Sequence, residues 1–385
     1  MDFKFTEQQD QLRERIRNYV ETEIPRARAR EIDREGKFPA DLVKKFADLG
    51  LCGINVAKEY GGMGGDVFDL MIIFEEVSRR LPVLCWALGN ILLYGNEIIS
   101  VNGSQEQKQE FLPKLAKGEI MFSFAITEPN AGSDAAGIIT KAEFKDGHWL
   151  INGSKMFITG AGVTQYTVTF ARTSSSKYGG ITSFIVDTNQ EGYTTREIDK
   201  LGYHGSNTCE VYYENVKVLP QYILGGQEKG LNNGWKQEMK LLNQERLMLS
   251  ACAIGMAQAA YEDALAYAIE KLQRGSQAVD TQAIQHTLAK MATELEVART
   301  FAYATAWKEV AGLSPTKETS MCKYFAAETS KNVIKQGVNI LGMDGSSMDH
   351  DLQRYLRDIL ILSIGGGTSQ IQKNIISKVI GLKGV

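Results

Sequence analysis

Apolar residues recur at helical spacing through the first third of the chain, give way to short β-type runs in the middle, and return to helical spacing thereafter. Leu12, Ile16, Val20 and Ile24 form one stripe behind a Thr6–Gln9 capping box, and Pro25 closes that helix. A second helix is expected from near Pro39 to Gly50, with Leu42, Phe46 and Leu49 on its apolar face. The glycine loop YGGMGGD, 60–66, follows. Further helices are expected over about 67–81 and 83–101, and over 105–117 behind a Ser104–Gln107 cap. From Ile120 to Val218 the texture changes to HWLINGSKMFITG, YTVTFART, ITSFIVDT and TCEVYYENVKV, short β-branched and aromatic runs broken by glycine. In the last, Val211 and Tyr213 face one way and Tyr212 and Glu214 the other. Long helices are expected again over about 231–272, 280–312 and 317–341, with shorter ones after them. The expected fold is therefore α+β and multidomain: an all-α domain over 1–120, a β-barrel or sandwich over 121–225, and a second α domain over 226–385.

Composition narrows the function classes. Of 385 residues 43% are hydrophobic, which is ordinary globular usage and enough chain for large cores. Lys and Arg total 43 against 46 Asp and Glu, a net charge of −3, so there is no basic excess to hold nucleic acid or an anionic membrane. No unbroken apolar run reaches bilayer length, and no spanning helix is expected. The charged, amphipathic N-terminus lacks a secretory h-region, which points to a cytoplasmic protein. Cys52, Cys85, Cys209, Cys252 and Cys322 contain no CxxC pair, and His148, His204, His286 and His350 show no ligand spacing. Neither a disulfide framework nor a metal site is expected.

Glu245 carries the strongest chemical signal. On a helix it shares a face with Leu241, Leu242, Met248, Leu249 and Cys252, so one carboxyl stands inside an apolar stripe. Burial raises the pKa of such a group and suits it to general-base work, while a buried acid paired with an Arg or Lys from elsewhere reads equally well. FAITEPNAGSD, 124–134, offers Thr127, Ser133 and backbone amides near Gly132 to an oxygen-rich ligand, with an ordinary turn as the plainer reading. GSKMFITGAG, 153–162, sets Phe157 and Thr159 on one face of a strand, able to cover a flat ring and bond its edge. SIGGGTSQIQ, 363–372, is a triple-glycine loop before a helix that Thr368 caps. It is neither a P-loop nor a GxGxxG turn.

EYGGMGGD, ITEPNAGSD with GSKMFITG, GSNTCEVYYENVKV and RDILILSIGGGTSQIQ, in that order over essentially the whole chain, resemble the acyl-CoA dehydrogenase family. The resemblance implies a helical N-terminal domain, a middle β domain and a C-terminal four-helix-bundle domain assembled as a homotetramer. It implies one FAD per subunit, an acyl-CoA substrate converted to the trans-2-enoyl-CoA, and electron-transferring flavoprotein as acceptor. By position, Phe124, Ile126, Thr127, Phe157 and Thr159 match flavin-lining residues. Ser133 matches a residue near both flavin and the CoA arm. Thr368 and Gln370 match the terminal segment that holds FAD, Gly367 neighbours the thioester, and Asn243 and Arg246 match a stretch near the CoA chain. Lys271, Arg274, Gln282 and Asn339 fall where the family contacts FAD across a subunit interface.

Departures from the pattern are informative. Most members place the catalytic Glu two residues before the Thr of the last motif; here that position is Gly366. A minority, resembling isovaleryl- and long-chain-type enzymes, place the base just before an Arg on the long helix, where this chain has Glu245-Arg246. Phe157 replaces a common Trp, His204 a common Arg, Lys271 an Arg, Arg274 a Phe, Asn339 a Gln and Met343 a Gly. The GGGT ending also resembles enoyl-CoA reductases of the crotonobetainyl-CoA type, the same site run toward saturation. The loss of the usual Glu at Gly366 admits a third reading, an inactive CoA-binding subunit, and an oxygen-using oxidase is a fourth. Trp86–Ile98 is expected to line the acyl pocket, and its apolar residues favour a short, branched or cyclic acyl chain over a dicarboxylic one.

Overall fold

The computed structural model describes residues 4–273 and 281–382. The N-terminal helices are α1 (Glu7–Glu23), α2 (Arg26–Glu35), α3 (Ala40–Asp48), α4 (Val67–Ser78), α5 (Pro82–Ile91), α6 (Ile98–Asn102) and α7 (Gln105–Ala116). The middle segment forms β1 (Phe122–Ala125), β2 (Lys141–Lys145), β3 (His148–Thr159), β4 (Tyr166–Arg172), β5 (Ile181–Asp187), β6 (Tyr193–Glu197) and β7 (Thr208–Val218). After them come α8 (Gln227–Gly230), α9 (Gly234–Gln273), α10 (Thr281–Val310), α11 (Thr316–Leu341), α12 (Met343–Ser346), α13 (Leu352–Leu362) and α14 (Ser369–Val379). The α, β, α order expected from patterning is present, and the Thr6–Gln9 and Ser104–Gln107 capping boxes both form.

Two elements differ from the expectation. Helix α2 was not anticipated, because RARAREIDRE has almost no apolar stripe. It buries Ala29 and Asp33, and its arginines ion-pair with other elements. The helix expected over 83–101 is broken: Leu92–Glu97 winds as a π-helix between α5 and α6. Pro82–Asn102 also corrects the reading of apolar runs. Its 21 residues have a mean hydropathy of 1.3, enough by length and composition to cross a bilayer, yet 83% of its apolar window is buried inside the protein. It is a core helix.

The seven strands make one curled sheet in the order β1-β4-β2-β3-β7-β6, with β5 added to β4. β1 runs parallel to β4, whereas β3 pairs antiparallel with β7. Trp149, Phe184, Val211 and Tyr213 fill the interior of this sheet. The helices before and after it share a single continuous core that includes Ile16, Phe74, Met248 and Leu352. Through that core runs α9, buried on nearly every face between Arg246 and Ala260. It crosses α4 closely at Gly255, where a Cβ would lie 2.1 Å from Glu75 O.

Charge pairs sew the N-terminal helices to the rest. Glu76, 2% exposed, accepts from Arg13 at 2.8 Å, Arg17 at 2.9 Å and Arg79 at 3.0 Å, while Arg79 also holds Glu262 of α9 at 2.6 Å. Burial alone would raise the Glu76 pKa, but the three guanidiniums prevail and hold it below the usual value. A carboxylate with a depressed folded pKa stabilises the fold above its unfolded pKa, and that stabilisation drains away as pH falls through the folded value. Glu76→Ala should therefore cost about 1.5–3 kcal/mol in urea unfolding at neutral pH, since it removes charge-assisted hydrogen bonds to three partly exposed guanidiniums. Glu76→Gln should flatten the acid limb of the stability profile.

Candidate active site

The apolar stripe of α9 buries Leu241, Met248, Leu249 and Cys252 and takes Glu245, 8% exposed, with it. The Tyr94 hydroxyl donates to Glu245 Oε1 at 3.1 Å. Among the described residues no ion pair reaches this carboxyl. The two cations nearby are bonded elsewhere: Arg246 Nε donates to Gly366 O at 3.4 Å and Lys323 Nζ to Gly367 O at 2.7 Å. Burial pushes the Glu245 pKa up, with the Tyr94 bond and the charges of Arg246 and Lys323 opposing in part. Lys323 is itself pushed down to about 8 by burial. Two turns back on the same face, Glu238 is pushed up to about 8, by burial first and then by the charge of Glu245. Of the two readings left open by the sequence, an ion-paired structural acid finds no ion-pair partner among the described residues.

The triple-glycine loop packs onto this carboxyl. Gly366 and Gly367 have φ of +64° and +92°, and Gln372 Nε2 bonds both their carbonyls at 2.9 and 3.0 Å. A Cβ on Gly366 would lie 3.9 Å from Glu245 Oε1 and only 2.6 Å from Leu249 Cδ1. The two positions that the resemblance offers for a base thus lie close in space although they are 121 positions apart in the chain. Thr368 caps α14 through Ile371 N at 3.2 Å, and Gln370 is exposed beside it.

The two central motifs also converge. Met156 N donates to Thr127 O at 2.9 Å, while Lys155 Nζ holds Ile126 O at 3.0 Å and Glu128 Oε1 at 2.9 Å. Glu128 in turn accepts from the backbone of Ile139 and Thr140. This buried pair fixes the 124–128 strand end against β3. Phe157 sits in an irregularity of β3, between the registered pairs Lys155–Val211 and Ile158–Cys209, with φ +60° and its ring 58% exposed. Thr159 is half-buried with its hydroxyl 3.4 Å from that of Thr208, and Ser133 is exposed. An aromatic held out of the core can cover a flat ring. Phe124 stacks on Tyr94 at 5.2 Å and meets Phe170 edge-on at 4.9 Å, so Tyr94 joins these motifs to Glu245.

Other anticipated residues lie apart. Asn243 bonds Thr316 at 3.4 Å and Thr319 at 3.2 Å, two residues before Glu245 and so about half a turn round α9 from it. Lys271 is near the far end of α9, roughly 40 Å along the helix from Glu245 at 1.5 Å per residue, with its ammonium over the Tyr267 ring. Gln282 stands in the first turn of α10 and Asn339 is exposed near the end of α11. Arg274 lies outside the described residues. His204 bonds the carbonyls of Asp33 at 3.1 Å and Lys200 at 2.9 Å, a structural role. Sequence reasoning passed over Tyr94 and Lys323. Tyr94 is the only aromatic in the apolar run 87–98, a signal present but not used. Lys323 had none, because nothing local says it will be 1% exposed. No cluster of metal ligands occurs among the described residues.

Models of the acyl-CoA dehydrogenase N-terminal, middle and C-terminal domains match residues 6–119, 123–216 and 232–381. A 3-(aryl)acrylate reductase of Clostridium sporogenes is 40% identical over 377 residues, covering 97% of this chain and 98% of the relative. The CarC subunit of the caffeyl-CoA reductase-Etf complex of Acetobacterium woodii is 35% identical, covering 97% and 98%. The structure of butyryl-CoA dehydrogenase from Megasphaera elsdenii superposes with a TM-score of 0.94 at 31% identity, covering 99% of this chain and all of that one.

Gly366→Ala should be poorly tolerated, because it forces a side chain into the left-handed region and against Leu249. A cost of about 1–3 kcal/mol in chemical denaturation is expected, with loss of activity as the loop shifts off Glu245. Unchanged stability and turnover would show that the loop is not held by this contact.

Proposed function

The chain belongs to the acyl-CoA dehydrogenase family, and on that premise we propose that Glu245 is the base that takes the α-proton of an acyl-CoA thioester on the way to the trans-2-enoyl-CoA. The protein is a flavin-dependent oxidoreductase acting on a CH–CH bond. FAD, the cofactor, supplies the acceptor for the β-hydride when bound. Phe124, Ile126, Thr127, Ser133, Phe157, Thr159, Thr368 and Gln370 are the residues that would hold it, and the exposure of Phe157, an aromatic left outside the core, supports that assignment. The observation that carries the reading is the buried Glu245 carboxyl with no cation paired to it.

The neighbouring residues suit this role. Arg246 and Lys323 spend their hydrogen bonds on the carbonyls of Gly366 and Gly367, so they fix the loop that resembles the thioester site without neutralising the base. Their charge still favours the anion that Glu245 must be before it accepts a proton. Asn243 and Arg246 are assigned to the CoA arm. An inactive CoA-binding subunit would gain nothing from an unpaired carboxyl buried at net cost.

A second reading, enoyl-CoA reduction by the same residues with Glu245 returning the proton, is favoured by the reductase relatives. Their aryl substrates add aryl-acyl chains to the short, branched and cyclic ones to be tested. Electron-transferring flavoprotein is the proposed electron partner, supported by the caffeyl-CoA reductase-Etf relative. A homotetramer is proposed as well. An apolar groove of about 500 Å³ along the outer faces of α10, α11 and α14, lined by Val297, Phe301, Met321, Phe325 and Ile376, gives subunits a surface to share.

Glu245→Gln should retain the flavin's yellow colour and lose ~10²–10⁴-fold in turnover. Near-normal turnover would remove Glu245 from the base role. In the wild type, kcat/KM for a saturated acyl-CoA should fall as pH drops through an apparent pKa above the ordinary glutamate value, because burial favours the protonated form. Anaerobic titration with a panel of saturated acyl-CoAs should bleach the oxidised flavin band with at least one member. Bleaching by none, together with reoxidation of reduced protein by an enoyl-CoA, would establish the reductase direction instead.

A further inference from the structure

We propose that Tyr94 is a positioning residue for proton transfer: its hydroxyl holds Oε1 of Glu245, the oxygen that faces Gly366, and so fixes the orientation of the carboxyl beside the glycine loop. The inference rests on Glu245 being the acid/base of the preceding section. Three independent observations carry it. The hydroxyl donates to Oε1 at 3.1 Å, and no hydrogen bond reaches Oε2 among the described residues. The two oxygens are therefore inequivalent before any substrate arrives. The Tyr94 ring is itself fixed, 8% exposed and stacked on Phe124 at 5.2 Å with planes 20° apart. Finally, Tyr94 lies within the Leu92–Glu97 π-helix, where the extra residue per turn re-aims side chains relative to a regular helix. Restoring an α-helical turn would rotate Tyr94 away from α9.

A glutamate side chain has three rotatable bonds, and one anchored oxygen limits it to rotamers that hold the carboxyl in a fixed orientation against the loop. Such pre-orientation matters because proton transfer needs donor and acceptor in near-contact with correct alignment. The phenol bond also stabilises the carboxylate form, which tempers the effect of burial on this group. The other charges facing Glu245 are Arg246 and Glu238 on its own helix and Lys323 from α11. Arg246 and Lys323 hold loop carbonyls, and no hydrogen bond joins Glu238 to Glu245, so among the described residues Tyr94 alone hydrogen-bonds the carboxyl.

Tyr94→Phe removes the hydroxyl and keeps the ring against Phe124. The acid limb of kcat should move up by about one pH unit, as expected for losing a hydrogen bond to a charged group. The plateau kcat should fall about tenfold while KM changes little. In the Glu245→Gln background the same substitution should change nothing further, because Tyr94 acts through Glu245. Incorporation of 3-fluorotyrosine at position 94, a stronger donor of nearly the same shape, should move the limb down, and it serves as the test if the Phe variant fails to fold. An unmoved limb in both variants, or an additive loss in the double variant, overturns the proposal. Should Glu245→Gln alone retain turnover, the base assignment itself fails, which is a separate result from an unmoved limb in an enzyme that Glu245→Gln silences.

Discussion

A carboxyl buried in the middle of a helix-packed core, with no cation paired to it, is the constraint around which this structure is arranged. Burial of an ionisable group raises the cost of its charge, and most proteins offset that cost with an ion pair. Here the nearby cations are spent on backbone carbonyls, and one phenol hydroxyl is the carboxyl's only hydrogen-bond donor among the described residues. The group is left in the state a proton acceptor needs: neutral at modest energetic cost, anionic with some support, and free on one oxygen.

Supporting that carboxyl takes elements from the whole chain. Helix α9 carries it and is enclosed by α4, α10, α11 and α13. The loop before α14 closes over it because Gly366 and Gly367 adopt left-handed φ, and Lys323 and Gln372 pin the loop's carbonyls. The β segment contributes at one remove: the buried Lys155–Glu128 pair locks the strand end that carries Phe124, and Phe124 backs the Tyr94 ring. A defect in any of these would be felt as a misplaced oxygen at Glu245, not only as lost stability.

Much of this was legible in the sequence. The period-3.6 stripe on α9 marks Glu245 as out of place, because a charged residue among Leu241, Met248, Leu249 and Cys252 breaks a local rule. Thr368 as an N-cap, both capping boxes and the alternation in β7 follow from bonds within a few residues, and all of them formed. Helix α2 was missed because it is stabilised by arginine ion pairs to distant elements and not by an apolar stripe. The π-helix was missed because six apolar and polar residues in a row look the same at either helical pitch.

The sequence by itself determined the order of helical and β segments, the family, and the one carboxyl whose placement demanded an explanation, since each depends on periodicity, local hydrogen bonding or motif. Only the tertiary structure decided whether that carboxyl is ion-paired, that Gly366 lies against it, and that Tyr94 reaches it. Those facts join residues 94, 245, 323 and 366, which no local rule connects. Their juxtaposition comes from the packing of one shared core, where the shape of every element sets the position of the others.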